Sequence, residues 1–177
     1  MILGVVLAGG LSRRFGSDKA LAMLGGHTLI ALAVDALAQW CDHVVVAGRE
    51  RAPAPTVPDW PRAGMGPLGG LAAALRHAQD AGYDTVLSCG VDTGLFPDDL
   101  PGLLGPAPAC LASQPVIGIW PAAAAPVLED VLLGEGPHAM YRFADCIGAR
   151  RIDIGAAVPN LNTPDDLAAL AERPWSG

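Results

Sequence analysis

Arg13, Arg14 and Lys19 fall within seven positions, just after Gly9-Gly10, in a chain that has only eleven lysines and arginines and a formal charge of −7. A local cluster of positive charge on an acidic protein, set behind two residues without a Cβ, has the make-up of an anion grip. The cations neutralise, and the backbone N–H groups of a tight turn donate. The spacing is not that of a Walker A loop, because Gly10 and Gly16 stand six apart with Lys19 three further on, where that pattern needs G-x-x-x-x-G-K-[ST]. Taken alone, the glycines could merely turn a strand into a helix, with Arg13 solvated and Lys19 paired locally with Asp18. The charge contrast favours a bound polyphosphate.

A second set of polar residues lies further along. Asp92 follows the apolar run 85–89, just past the carboxyl end of a predicted strand, where open α/β sheets bind ligands. In that place an aspartate either holds a cation or bonds the local backbone in a turn. Asp59 ends a short predicted edge strand, 56–59, inside a loop with Pro53, Pro55, Pro58 and Pro61. Near the end of the chain Thr163 reads as an N-cap, Pro164 as the first helical residue and Asp166 as the third member of a capping box. That local account leaves Asn160 and Asn162 unexplained.

The elements that must position these groups follow from pattern. Residues 2–8 and 44–47 read as buried strands and 28–39 as a helix with Leu29, Leu32, Ala33, Ala36 and Leu37 on one stripe. Residues 64–69 match G-x-G-x-x-G, yet Pro61 and Arg62 stand where a dinucleotide fingerprint needs a strand. The better reading starts a helix at Pro67, with Leu68, Leu71, Leu75 and Ala78 as its apolar stripe and its N-terminus adding to the anion pocket. Asp98 and Asp99 read as capping residues of another helix. Residues 114–121 read as a strand, 122–133 as a helix, and Pro137 as the start of a helix that turns Met140, Phe143, Ala144 and Ile147 inward, with His138 on a solvated face. Residues 150–154 read as the last strand.

Composition narrows the function. With 177 residues, 51% hydrophobic and 16% charged, the chain has the material for one core. The acidic balance argues against a nucleic-acid or anionic-membrane partner. No segment approaches the 18 or so apolar residues of a membrane span, and no basic region or small-residue cleavage site marks a secretory leader. Cys41, Cys89, Cys110 and Cys146 are far apart with no C-x-x-C, which fits a reduced cytoplasmic setting and no zinc site.

Leu7-Ala8-Gly9-Gly10 with Ser12, Arg14, Gly16, Asp18 and Lys19 resembles the L-A-G-G-x-S-x-R-M-G-x-D-K signature of nucleotidyltransferases, with Phe15 for Met. Later stretches point to the molybdenum cofactor guanylyltransferases in particular. Gly66-Pro67-Leu68-Gly69-Gly70 is similar to G-P-L-A-G, and Asp92-Thr93-Gly94-Leu95-Phe96-Pro97 to D-T-P-F-x-P with Gly94 for Pro. Gln114 to Pro121 resembles H-P-V-x-G-L-W-P with Gln114 for His, and Asn160 to Leu167 resembles N-x-N-T-P-x-D-L.

The resemblance implies an α/β fold: a single-domain, Rossmann-like three-layer sandwich over 1–177, with a mostly parallel sheet of the nucleotidyltransferase (nucleotide-diphospho-sugar transferase) type. It implies transfer of GMP from GTP to the phosphate of molybdenum-molybdopterin. Leu7, Ala8, Gly9, Gly10 and Asp59 would contact the nucleotide. Lys19 and Arg14 would hold its phosphates, Asp92 would bind Mg2+, and Asn160 and Asn162 would lie on the pterin side or near the metal. Relatives that use guanine carry Asn where this chain has Ala47. A basic residue close to His138 in relatives would give that histidine a pterin-side role instead. Partners implied are GTP, the pterin, a cofactor-delivery protein and acceptor molybdoenzymes. Two alternatives stay open: a related transferase using CTP or a sugar phosphate, and a nucleotide-binding module without turnover.

Overall fold

The computed structural model describes residues 1–10, 18–92, 96–155, 158 and 161–172. In chain order these form β1 (Ile2–Leu7), a single 3-10 turn (Lys19–Leu21), β2 (Met23–Leu24), β3 (His27–Thr28), α1 (Leu29–Ala38), β4 (His43–Ala47) and β5 (Thr56–Val57). Then follow α2 (Pro67–Ala81), β6 (Thr85–Gly90), α3 (Leu100–Leu104), β7 (Ala109–Leu111), β8 (Gly118–Pro121), α4 (Ala125–Leu133), α5 (Met140–Cys146), β9 (Arg150–Ile152) and α6 (Pro164–Ala171).

Seven strands make one sheet in the order β5-β4-β1-β6-β8-β7-β9. Only β8 is reversed, running antiparallel to β6 and β7, so the expected mostly parallel α/β sheet is present. From β1 the chain goes to β4 on one side and later to β6 on the other, which puts the switch point, and hence the ligand crevice, beside the carboxyl end of β1. Leu7 is in register with Ala47 of β4 and with Gly90 of β6. Three strands therefore end level with one another.

Alternation along β1 assigns its side chains to two layers. Leu3, Val5 and Leu7 pack with α2, α4 and α5, and the predicted stripe of Leu68, Leu71, Leu75 and Ala78 is fully buried there. Each such leucine contributes roughly 1.5–3 kcal/mol over an exposed one. Val6 and Ala8 face α1 and α3 through Ile30, Leu37, Leu100 and Leu104. Helix α1 comes close to the sheet because Gly4 has no side chain: a Cβ there would lie 3.1 Å from Cys41 Sγ and 3.2 Å from Leu37 Cβ. Burial at this contact pushes the Cys41 thiol up to about 12, so it stays protonated and inert. A small third cluster of Leu24, Leu29, Leu161 and Leu170 ties α6 to the front of α1.

Several boundaries differ from the sequence expectations for identifiable reasons. The turn at Gly25-Gly26 carries a hairpin, β2 with β3, because both glycines have positive φ, 59° and 84°, as a two-residue type I′ connection requires. The strand expected over 114–121 is only Gly118–Pro121. Its first half is a turn closed by Ile117 N–H on Gln114 O at 2.9 Å; Pro115 has no N–H to give a ladder, and the Gln114 side chain donates to Val158 O at 2.7 Å. The helix expected over 122–133 begins as a 3-10 turn, Ala122–Ala124, since Pro126 cannot donate to Ala122. Pro137 does not open α5, which starts at Met140 behind Ala139. The strand expected over 150–154 stops at Ile152, and Asp153 Oδ1 then accepts from Gly155 N–H. Asp99 does cap α3, accepting from Gly102 N–H at 3.0 Å, and Thr163 with Asp166 forms the expected capping box of α6.

Candidate active site

Lys19 opens the 3-10 turn that follows the signature loop, and Asp18 caps that turn by accepting from Ala20 N–H at 3.2 Å. The turn aims the Lys19 side chain inward, so that the residue is only 8% exposed. Its Nζ lies 3.6 Å from Asp92 Oδ2 and 3.4 Å from Asn162 Oδ1. The carboxylate that pairs with Lys19 is thus Asp92 across the crevice. Asp18 instead meets Arg49 with both oxygens.

Asp92 stands two residues beyond β6, with its side chain 31% exposed. Gly90 makes room for it: a Cβ on Gly90 would lie 2.4 Å from Asp92 Oδ1. The Asp92 backbone oxygen accepts from Leu161 N–H at 2.9 Å, and Leu161 is buried in the small cluster with Leu24. One hydrogen bond and one apolar contact therefore bring Asn162 to Lys19 from the far end of the chain. Among the described residues no three His, Cys, Asp or Glu side chains converge. A cation here would take Asp92 as its carboxylate and complete its oxygen shell with phosphates and water, the usual arrangement for a nucleotide-bound magnesium.

Beside these groups lies a floor of glycines. Ala8 N–H donates to Ala47 O at 3.0 Å, which carries the β1–β4 pairing one residue past the strand end. The next residue, Gly9, then rests on Gly48: a Cβ at Gly48 would lie 2.4 Å from Gly9 Cα. Gly48 has φ +83°, a backbone state that L side chains rarely adopt. The Asp59 carboxylate borders this contact, one oxygen 3.4 Å from the Cβ position of Gly9 and the other 3.4 Å from that of Gly48. Ala47 is 1% exposed and faces α2, its Cβ 2.9 Å from the place a Gly70 Cβ would occupy. Among the described residues, Asp59 is a polar group bordering Gly9 and Gly48 on this side.

Burial raises the Asp59 carboxyl above its ordinary value, and a backbone hydrogen bond from Gly64 opposes it with smaller effect. A carboxyl raised in the folded state weakens folding as pH climbs from the unfolded value through the folded one, and the penalty is complete above that. Asp59→Asn cannot ionise and is expected to melt at higher temperature than the parent protein near pH 7. The gap is expected to close near about pH 3, where both side chains are neutral. A gap of equal size at both pH values would place the gain elsewhere.

Of the residues singled out by sequence, Leu7, Ala8, Gly9, Gly10, Lys19, Asp59, Asp92 and Asn162 gather at the carboxyl ends of β1, β4 and β6. His138 is exposed in the segment between α4 and α5. Arg13, Arg14, Gly94 and Asn160 lie outside the described residues. Gly48, Arg49, Gly90 and Leu161 were not singled out. Gly48 and Gly90 carried a signal, each being a glycine at or just past the end of an apolar run; Arg49 and Leu161 carried none without their distant partners.

Level strand ends and a lysine–carboxylate pair at the switch point make this an open α/β fold whose crevice suits an anionic ligand. A family model for the MobA-like NTP transferase domain matches residues 4–146, and the chain belongs to that family. It is 38% identical to the molybdenum cofactor guanylyltransferase of Acidiphilium cryptum, over 93% of this chain and 91% of the relative. Among solved structures, molybdopterin-guanine dinucleotide biosynthesis protein A from Archaeoglobus fulgidus superposes with a TM-score of 0.77 at 22% identity, covering 96% of this chain and 97% of that one. A Mycobacterium tuberculosis protein solved as a manganese complex superposes with a TM-score of 0.64 at 18% identity, covering 97% and 98%.

Proposed function

We propose that this chain transfers GMP from GTP to the phosphate of molybdenum-molybdopterin, yielding molybdopterin guanine dinucleotide and pyrophosphate. The observation that carries nucleotidyl transfer is the meeting of Lys19, Asp92 and Asn162 at the switch point. The choice of base and acceptor rests on what the relatives are named for.

The attacking group is a phosphate monoester, already mostly ionised at neutral pH with a second pKa of about 6. No side-chain nucleophile is needed. An oxygen of that phosphate bonds to the α-phosphorus of GTP while the bond to the bridging oxygen of the β-phosphate breaks, and pyrophosphate leaves with that electron pair. What the protein supplies is alignment of two anions that repel each other and neutralisation of charge on the leaving group. The backbone at Leu7, Ala8, Gly9 and Gly10 receives the nucleotide, and Lys19, with Arg14, holds its phosphates. Asp59 offers acceptor oxygens to the N1 and N2 donors of guanine. Asn162, with Asn160, lies toward the pterin. Asp92 would hold a divalent cation, which we assign as Mg2+, and the bound cation would supply Lewis-acid neutralisation of phosphate charge.

The setting we assign is the cytoplasm, with a cofactor-delivery protein upstream, molybdoenzymes downstream and no nucleic-acid partner. All four cysteines are free, and among the described residues no helix is long and apolar enough to cross a membrane.

Calorimetric titration with GTP, CTP and ATP in magnesium tests the reading. GTP is expected to bind at least about tenfold more tightly, a gap of about 1.4 kcal/mol; tighter CTP binding would move the product to a cytosine dinucleotide. Lys19→Met is expected to weaken GTP binding about 30-fold or more by removing a charge-assisted contact to phosphate, with guanosine binding unchanged. Equal GTP affinity in that variant would take Lys19 off the phosphates and leave it to its contacts with Asp92 and Asn162.

A further inference from the structure

Two consecutive residues at the end of β4 hold both described flanks of the signature segment. Gly48 carries Gly9 by backbone contact, and Arg49 grips Asp18. The grip is a fork: Arg49 Nη1 donates to Asp18 Oδ1 at 2.8 Å and Nη2 donates to Oδ2. Asp18 Oδ1 also accepts from Ala20 N–H at 3.2 Å, and the Asp18 backbone oxygen accepts from Leu21 N–H at 3.0 Å. The carboxylate that Arg49 holds is therefore the cap of the turn that carries Lys19.

Most ion pairs between long surface side chains contribute little, because holding both chains still costs entropy. This one differs in two respects. The Arg49 side chain is 19% exposed, so much of its freedom is already lost to packing, and a two-point guanidinium–carboxylate contact fixes orientation as well as distance. The Asp18 carboxyl is held below its ordinary value, with the Arg49 hydrogen bond as the largest cause, and the Arg49 guanidinium is raised in turn by Asp18. The fork accordingly favours the ionised form of Asp18.

We infer that Arg49 is a positioning residue for nucleotidyl transfer: by fixing the Asp18 cap it holds Lys19 at the distance from Asp92 and Asn162 at which its ammonium meets the triphosphate. The inference rests on the assignment of Lys19 to the phosphates and extends it to a residue beyond the crevice. Lysine cannot substitute for this arginine, because a single ammonium supplies one point of contact where the turn needs two.

The test is a double-mutant cycle with a readout that needs no nucleotide. Arg49→Met is expected to raise KM for GTP about tenfold and to change kcat less than threefold, with Arg49→Lys recovering only part of the loss. In an Asp18→Asn background, Arg49→Met is expected to cost little more, since the pair acts as a unit. A full and additive loss in that background would mean that Arg49 touches the nucleotide itself and would overturn the inference. In the ligand-free protein, hydrogen exchange at the Ala20 and Leu21 amides is expected to speed up in Arg49→Met by more than the change in global unfolding stability accounts for. Unaltered exchange there overturns the tether whatever the nucleotide does, whereas failure of Lys19→Met to affect GTP binding would count against the phosphate assignment and leave the tether standing.

Discussion

Asp92→Asn is expected to lower magnesium-dependent GMP transfer by about 100-fold or more, in line with the loss of a preorganised charge at a phosphoryl-transfer centre, and to leave the fold intact. The substitution keeps the size of the side chain and so keeps the space that Gly90 provides. The Leu161 N–H bond goes to the backbone oxygen of Asp92, which the change does not touch. A neutral amide, however, binds a hard divalent cation far more weakly than a carboxylate does. Pyrophosphate release measured against magnesium concentration separates the two roles open to Asp92. A rate that recovers at high magnesium marks a cation ligand, and turnover equal to that of the parent protein at every concentration removes Asp92 from the metal.

Gly48→Ala is expected to be as damaging by a wholly steric route. The residue sits at φ +83°, where a side chain costs roughly 1–2 kcal/mol. The new Cβ would also lie 2.4 Å from Gly9 Cα, a backbone atom that cannot rotate away. We expect destabilisation of about 2–4 kcal/mol in denaturant unfolding and GTP binding at least about tenfold weaker, because Gly9 must lift off the floor. Gly10→Ala is the matched control. Among the described residues nothing lies within 4 Å of its Cβ position, so the ligand-free protein is expected to unfold much as the parent does. A loss of GTP affinity at Gly10 with no loss of stability would mark where the nucleotide approaches the backbone. Parental affinity in Gly48→Ala would show that the floor does not shape the nucleotide site.

What could be read from sequence was what is local. Strands β1, β4 and β6 and helices α1 and α2 announce themselves because each is an apolar run or stripe ended by glycine, proline or a polar cap, and the α6 capping box needs only four consecutive residues. The reversed direction of β8 leaves no mark in its own residues. It follows from the antiparallel pairing with β6 and β7, which only the assembled sheet displays. In the site, Lys19 and Asp92 stood out by charge and by position after a strand. Which of them paired with which did not, since Asp18 was the nearest carboxylate to Lys19 in sequence. Arg49, thirty-one positions from Asp18, takes that carboxylate, and Lys19 turns to Asp92. Competition between partners is decided by tertiary geometry, and no local pattern encodes it. Gly48 belongs to the same class, for much of its need to be glycine comes from Gly9, two residues past the end of β1.

The hydrogen bond between Lys19 and Asn162 spans 143 positions of a 177-residue chain. A nascent polypeptide emerges from its amino end at about 5–20 residues per second, so β1, β4 and β6 are all available to pair long before Asn162 has been made. Contacts so distant in sequence are also the slowest to close. The sheet can thus mature ahead of the crevice, and the contact between Lys19 and Asn162 arrives as a late event in the life of each molecule. A shortened chain ending just after β9 would be a fair mimic of that earlier stage: sheet-forming, with Lys19 facing Asp92 but nothing yet to complete the triad.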